Sequence, residues 1–496
     1  MNLATAFQQS AESHAGKTAV FWGEQEISYQ AMLAESRRVA TRLQRDMGIR
    51  PGDRVVVLLK NCPEFISVLF GIWQAGGIAV PVNNFLKPPE LGYILDDSAA
   101  SLLVTEPDFW ETAGKLLRTH RQMRIVLVDE AVSEGQGNNG ELSPAALSEK
   151  DVALIIYTSG TTGRSKGAML THGNLLHNVD SCRVVLSAVE FDRFALLLPM
   201  FHSFMLCVCI MLPLMVGGSI VLIKSLHPLK NVVQEILMRH ATILPAIPQF
   251  FRTMVDAPLP ELPLRLCVSG AAPLPVKVLK DFNAKFPFPL LEGYGLSEAS
   301  PVVSLNPIRG PWKIGSIGVP IPNVEVSIQN DSGEFLSDGQ VGEVCVRGGN
   351  VMQGYWNQPE ATASALRNGW LLTGDVGYRD SDGYLYITDR KKDMILVNGI
   401  NVYPREIEEV IYQFPGVQET AVVGEPDRRK GEQPVAFVVP RDGEQVHEHE
   451  LLHFLRQNLA DYKVPRRVLF LTTMPRNETG KILKTALRAG FISPNG

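Results

Sequence analysis

Short apolar, β-branched runs alternate with stretches whose apolar residues return every three or four positions. The strand-like runs fall at 54–59, 78–82, 101–104 and 124–128, and the helix-like stretches at 29–45, 64–75 and 89–97. This alternation predicts a largely parallel sheet covered by helices. It resumes downstream with strands at 152–156, 195–198, 219–223, 241–244 and 264–269. From 315 to about 346 the pattern changes to short strands between Gly, Pro and Asp turns, which predicts a small β-rich unit. A strand at 384–388 leads into the charged cluster Asp389-Arg390-Lys391-Lys392-Asp393. Beyond it, strands at 394–397, 419–424, 434–439 and 467–471 mix with helices at 404–413 and 449–459, enough chain for a separate α+β domain. The expected fold is therefore α/β. A large N-terminal domain of parallel-sheet α/β subdomains with a small β-rich subdomain spans 1–391, and a small α+β C-terminal domain spans 392–496.

Residues 204–223 contain no charged side chain and match a membrane span in length. Pro213, the Gly217-Gly218 pair and the β-branched Ile220-Val221 favour a buried helix, a glycine turn and a buried strand instead. The start of the chain lacks the basic and apolar regions of a signal peptide, so a cytoplasmic protein is expected. The stretch 133–140, rich in Gly and Asn, reads as a solvated loop.

Composition adds little beyond exclusions. With 45% hydrophobic and 20% charged residues the chain resembles an ordinary globular protein, and its net charge of -5 argues against nucleic acid as the main partner. Six cysteines are scattered without a C-x-x-C pair, which suits buried reduced thiols better than disulfides or zinc.

The most informative segment is Tyr157-Thr158-Ser159-Gly160-Thr161-Thr162-Gly163-Arg164-Ser165-Lys166-Gly167. It lies between an apolar strand-like run and a helix-like start at Thr171. Glycines let main-chain N–H groups approach phosphate oxygens, hydroxyls donate further bonds, and lysine supplies charge. The spacing is not that of a Walker A loop, because Gly163 is followed by Arg-Ser-Lys. The residues alone suit a polyphosphate-binding loop or a flexible surface linker.

This segment resembles the phosphate-loop signature of the adenylate-forming enzymes: acyl-CoA synthetases, nonribosomal adenylation domains and beetle luciferases. Further motifs follow in the family's order: Ser269-Gly270-Ala271-Ala272-Pro273, Gly293-Tyr294-Gly295-Leu296-Ser297-Glu298, Thr373-Gly374-Asp375, the Asp389–Val410 run, and Pro475-Arg-Asn-Glu-Thr-Gly-Lys481. The likeness extends over nearly the whole chain, and the Asp389–Val410 run looks most like bacterial fatty-acyl-CoA ligases.

The resemblance implies ATP, Mg²⁺ and CoA as ligands and assigns roles to individual residues. Thr158, Ser159, Gly160, Thr161, Thr162, Gly163 and Lys166 would hold the β- and γ-phosphates. Gly270, Ala271 and Ala272 would line the adenine pocket, and Tyr294, between Gly293 and Gly295, would lay its ring on adenine. Ser297, where relatives more often have threonine, would bond the α-phosphate, and Glu298 would be the Mg²⁺ ligand. Asp375 would accept both ribose hydroxyls, with Arg390 beside it. Lys481 would bridge carboxylate and α-phosphate, and Lys392 would be the hinge of a mobile C-terminal domain. His202 matches a position beside the acyl carboxylate, while a lone histidine in apolar sequence also suits a core. Gly399 matches a glycine on the path of the pantetheine arm; the lysine that some relatives carry near it is Leu396 here.

The expected reaction is ATP-dependent activation of a carboxylic acid, medium- or long-chain fatty acid first, followed by transfer to CoA. An acyl-AMP ligase feeding a carrier protein or an amine, and an aryl-CoA ligase, are the alternatives. The segment between Glu298 and Asp375 lacks an insertion of the fatty-acyl-AMP ligase kind, and the chain ends shortly after Lys481, which favours CoA over an attached carrier domain. A luciferase-like oxygenase shares the first step. A binding protein of this fold should have lost charges that Lys166, Glu298, Asp375, Arg390 and Lys481 retain. Peripheral membrane contact, a homodimer and a separate acyl carrier protein stay open as partners.

Overall fold

The computed structural model describes residues 1–117, 123–133, 145–158, 165–427, 429–476 and 481–489. Two large mixed sheets form the body. In the first, the parallel strands Arg124–Leu127, Leu102–Thr105, Arg54–Leu58, Ile78–Pro81 and Val152–Thr158 lie side by side in that order. The antiparallel strands Lys166–Thr171 and Gly354–Tyr355 extend it. In the second, Thr18–Trp22, Ser219–Leu222, Arg193–Leu196, Ile243–Ala246, Leu266–Ser269 and Leu290–Gly295 run parallel. Gln25–Ser28 closes one end of this sheet, and Val302–Leu305 with Val319–Pro320 the other, all antiparallel.

Between the sheets lies the helix Pro63–Gln74, in which every residue except Glu64 is buried. A helix apolar on all sides needs cover on all sides, and it has it: one continuous core joins Phe65, Phe70 and Trp73 to residues of both sheets. Each such aromatic contributes about 2–3 kcal/mol by leaving water. Gly71 lets the helix Tyr29–Arg45 come close, since a Cβ there would sit 2.5 Å from Val39 Cγ1. The Trp73 indole N–H donates to the Ala153 carbonyl at 2.9 Å and so avoids an unpaired buried donor.

The uncharged segment 204–223 folds as a buried helix, turn and strand. Helix runs through Ser203–Met205, Leu206–Met211 and Leu212–Val216, Gly217 turns it at φ 77°, and Ser219–Leu222 joins the parallel block. Pro213 has no N–H to continue the ordinary ladder, and the residues Leu206–Met211 widen into a π-helix. Among the described residues no helix is long and apolar enough to cross a membrane. All six cysteines are free, and five are buried.

Two expectations need correction. Lys166–Thr171 is a strand paired antiparallel with Val152–Thr158, Thr158 facing Lys166. The glycine-rich segment therefore connects two arms of a hairpin, while the helix His172–Val185, capped by Thr171, begins where the sequence predicts it. The β-rich unit is also longer than 315–346. Val324–Gln329, Gly342–Gly348, Trp370–Arg379, Leu366–Arg367 and Leu385–Arg390 form one antiparallel sheet. The glycine- and asparagine-rich loop at 133–140 lies outside the described residues beyond Ser133.

The C-terminal part has its own sheet of Ile395–Val397, Ile400–Val402, Val417–Asp427, Gly431–Pro440 and Val468–Phe470. The helices Pro404–Ile411 and Glu448–Asn458 cover it, and among the described residues its two cores contain none before Ile395.

Candidate active site

A cavity of about 780 Å³ opens where the carboxyl ends of the large sheets face the C-terminal part. Ligands of open α/β sheets bind at such strand ends. Leu266–Ser269 delivers Gly270 and Ala271 to the wall, and Leu290–Gly295 delivers Gly293, Tyr294 and Gly295. Gly295 has a packing reason: a Cβ there would lie 2.1 Å from the Pro301 carbonyl oxygen.

Asp375 lies opposite Arg390 in the register of adjacent strands, and the Arg390 Nε meets its Oδ1 at 3.1 Å. The Tyr294 hydroxyl donates to Asp375 Oδ2 at 2.6 Å. Desolvation and then the Asp375 charge push the Tyr294 phenol well above its ordinary range, so it stays protonated and donating. Desolvation works against the Arg390 charge, but Asp375 together with Tyr294, Asp393 and Glu298 outweighs it and raises its pKa. Three distant motifs thus form one cluster.

Glu298 accepts from the Thr158 hydroxyl at 3.3 Å and the Tyr355 hydroxyl at 3.0 Å. Lys166 stands over the Tyr355 ring, its Nζ 5.2 Å from the centroid. Ser297 and Ser203 hydroxyls lie 3.0 Å apart. Glu298 with surrounding hydroxyls is an oxygen donor set that suits a hard divalent cation. Among the described residues no cluster of three metal-ligating side chains exists.

Lys481, from the C-terminal part, lines the same cavity. Desolvation, and then repulsion from Arg390, lowers its pKa to about 8. His202 caps the helical segment that begins at Ser203, with the Phe204 N–H donating to its Nδ1 at 3.3 Å. That bond leaves the ring proton on Nε2. Desolvation and the Lys481 charge lower the His202 pKa to about 4, so the imidazole is neutral near pH 7. His202 stands in the cavity, not in a core. Apolar lining comes from Cys182, Val185, Leu186, Phe204, Val208, Val268 and Leu305.

Of the residues singled out in the sequence, Thr158, Lys166, His202, Gly270, Ala271, Gly293, Tyr294, Gly295, Ser297, Glu298, Asp375, Arg390, Lys392 and Lys481 line this cavity. Ser159, Gly160, Thr161, Thr162 and Gly163 lie outside the described residues. Ala272 follows the lining without joining it. Gly399 is not brought in: it turns at φ 79° in the exposed hairpin between Ile395–Val397 and Ile400–Val402. Sequence reading missed Tyr355, Ser203 and Glu343. Glu343 accepts from the Gly374 N–H at 2.9 Å and holds Lys391 Nζ at 3.0 Å. Ser203 adjoins His202 in sequence, whereas nothing local to Tyr355 or Glu343 marks them.

Comparison with known proteins agrees with this geometry. The family model described as AMP-binding enzyme matches residues 7–356, and that of the AMP-binding enzyme C-terminal domain matches 406–481. A feruloyl-CoA synthase of Amycolatopsis sp is 39% identical, with 96% of each chain covered. A long-chain-fatty-acid–CoA ligase of Bacillus subtilis is 35% identical over 98% of this chain and 94% of the relative. Among solved structures, ATP-bound MatB from Rhodopseudomonas palustris superimposes with a TM-score of 0.92 at 32% identity, covering 99% of both chains. The o-succinylbenzoate CoA synthetase of Bacillus subtilis, in complex with its acyl-adenylate intermediate, gives 0.89 at 30% identity over 97% of both chains. With both family models matched and relatives of this identity covered nearly end to end, the chain belongs to the AMP-binding enzyme family and is an enzyme of its acid–thiol ligase group.

Proposed function

We propose that this enzyme activates a carboxylic acid with a neutral, apolar tail, a medium- or long-chain fatty acid first, and transfers it to CoA. The carboxylate oxygen attacks the α-phosphorus of ATP, the bond to the pyrophosphate oxygen breaks, and acyl-adenylate forms. The CoA sulfur then adds to the acyl carbon, its proton is lost, and AMP departs with the electron pair of the acyl–oxygen bond.

The observation that carries this reading is one cavity holding two kinds of lining. Tyr294, Asp375 and Arg390 form a bonded polar cluster, Lys481 and His202 stand in the same cavity, and Phe204, Val208, Val185 and Leu186 give it an apolar lining. Asp375 would hold the ribose. Lys481 would neutralise the charge that builds up as carboxylate meets phosphate, and the His202 Nε2–H would orient the carboxylate. Glu298 would hold Mg²⁺, which supplies charge neutralisation at the phosphates. Residues 1–391 and 392–496 would act as two domains joined at Lys392, with Gly399 serving the CoA arm in the second step.

A second reading, an aryl acid, is supported by the feruloyl-CoA synthase relative. Pyrophosphate release from a panel of acids, acetate to palmitate plus cinnamic and benzoic acids, with and without CoA, separates them. Acyl-CoA formation peaking among fatty acids supports the first reading and a peak among aryl acids the second. Acyl-AMP that accumulates while CoA is ignored removes both.

A further inference from the structure

Outside the cavity, one buried ion pair joins the C-terminal part to the body of the protein. Glu292, immediately before Gly293-Tyr294, has a side chain only 3% exposed, and Arg405, at the start of the helix Pro404–Ile411, is 12% exposed. Their charged groups lie 3.7 Å apart. Glu292 Oε1 also accepts from the Leu274 N–H at 3.0 Å, while Oε2 is buried with no hydrogen-bond partner. Burial pushes the Glu292 carboxyl up to about 7; the Arg405 guanidinium and then the Leu274 N–H work against that rise, and the Glu409 charge adds to it. Without that guanidinium the charged form is strongly unfavourable.

Arg405 has further anchors. Its main-chain N–H donates to Asp389 Oδ2 at 3.0 Å and its Nη1 to the Ile387 carbonyl at 3.0 Å. Both partners lie on the strand that carries Arg390. One helical turn further on, Glu409 accepts from the N–H of Val276 at 3.4 Å. Val276 opens the ten-residue helix Val276–Lys285, where a carboxylate is favoured by the helix dipole. Positions i and i+4 share a helix face, so a single face of Pro404–Ile411 docks at two charged points.

We propose that Glu292 and Arg405 are positioning residues for adenylation: their pairing fixes the C-terminal part in the orientation that places Lys481 in the cavity. The pair is suited to this because it specifies an orientation more than it adds stability. A rotated or shifted C-terminal part takes the guanidinium away and forces the buried Glu292 carboxyl to take up a proton, whereas an apolar contact of similar area would tolerate sliding. The pair also spans both sides of the site, since Glu292 leads directly into Tyr294 and Arg405 grips the strand that ends in Arg390. This inference rests on the role given to Lys481 under the proposed function.

The test uses Glu292→Gln and Arg405→Met in the full chain. Each should slow exchange of radiolabelled pyrophosphate into ATP about tenfold at saturating ATP and acid, and leave use of preformed acyl-adenylate with CoA within a factor of about two. In a Lys481→Ala background neither should lower exchange further, because the residue they position is gone. Loss of both half-reactions alike, or an undiminished tenfold loss on top of Lys481→Ala, would overturn the proposal. A readout independent of activity is hydrogen exchange at the Val276 amide, which Glu409 protects. Arg405→Met should accelerate it about tenfold while the Leu274 amide keeps its protection, and an unchanged Val276 rate would equally overturn the proposal. If no acid supports exchange in the unmodified enzyme, the functional reading fails, and the Val276 result still decides whether the pair holds the two parts together.

Discussion

The Tyr294 phenol and the Asp375 carboxylate are bonded to each other at 2.6 Å, although the motifs that contain them are far apart in the chain. With Arg390 on its other oxygen, Asp375 is held in one orientation before any nucleotide arrives. Tyr294→Phe should keep the ring and lose this restraint. A hydrogen bond to a charged group contributes about 1.5–3 kcal/mol, so steady-state assays should show the KM for ATP raised about ten- to a hundredfold with kcat changed less. Asp375→Ala should be worse on both constants, since it also leaves the Arg390 charge unpaired.

Lys481 carries the pH prediction. Its pKa is lowered to about 8, and the role proposed for it needs the ammonium form. For the adenylation step, kcat/KM, which reports the free enzyme, should be level below pH 8 and fall as pH rises through that value. Lys481→Arg should remove the falling limb, because a guanidinium keeps its proton. Lys481→Ala should lower pyrophosphate exchange at least a hundredfold and spare CoA transfer from preformed acyl-adenylate. Equal loss of both steps would contradict the assignment.

His202 makes the opposite statement about pH. With its pKa lowered to about 4, it is neutral throughout pH 5.5–7.5 and contributes no limb there. His202→Asn should raise the KM for the acid about tenfold, the scale of one lost polar contact, and leave the shape of the profile unchanged over that range. A rising limb near pH 6.5 that disappears in the variant would show that the imidazole works as a titrating base.

Lys392 tests the domain proposal. Proline there fixes φ and removes an N–H donor at the junction. Lys392→Pro should leave pyrophosphate exchange within about threefold and cut overall acyl-CoA formation about a hundredfold or more. An unaffected overall rate would move the hinge elsewhere.

Gly71 offers a stability test away from the chemistry. Alanine at this helix-interior position gains about 1 kcal/mol of propensity, but its Cβ meets Val39 Cγ1 at 2.5 Å and Val39 Cβ at 2.7 Å. Overpacking costs about 1–3 kcal/mol, so the clash should win. Gly71→Ala should lower the denaturant midpoint without changing the slope.

What was legible in the sequence follows a physical pattern. The helix Tyr29–Arg45 and the parallel strands could be read because each declares itself by local periodicity. Gly295, Tyr294 and Asp375 could be read because their motifs combine a backbone constraint with a chemical group. Lys166–Thr171 was missed as a strand because its apolar core, Ala168-Met169-Leu170, is short and its partner is a hairpin arm on the far side of a glycine-rich segment. Tyr355, Glu343 and the Glu292–Arg405 pair were missed for a different reason. Each acquires its meaning only from a partner that the fold brings in from a distant stretch, and no local pattern encodes that meeting.

The free cysteines have a consequence of their own. Five of six thiols are shut inside the body or its β-rich sheet, and Cys62 is only partly open. A thiolate must form and be reached before an alkylating reagent can label it. The folded chain is thus its own clock for opening. Trapping each cysteine over time would show whether the two large sheets part together, exposing Cys207, Cys209 and Cys267 at one rate, or whether the Cys345 sheet lets go first.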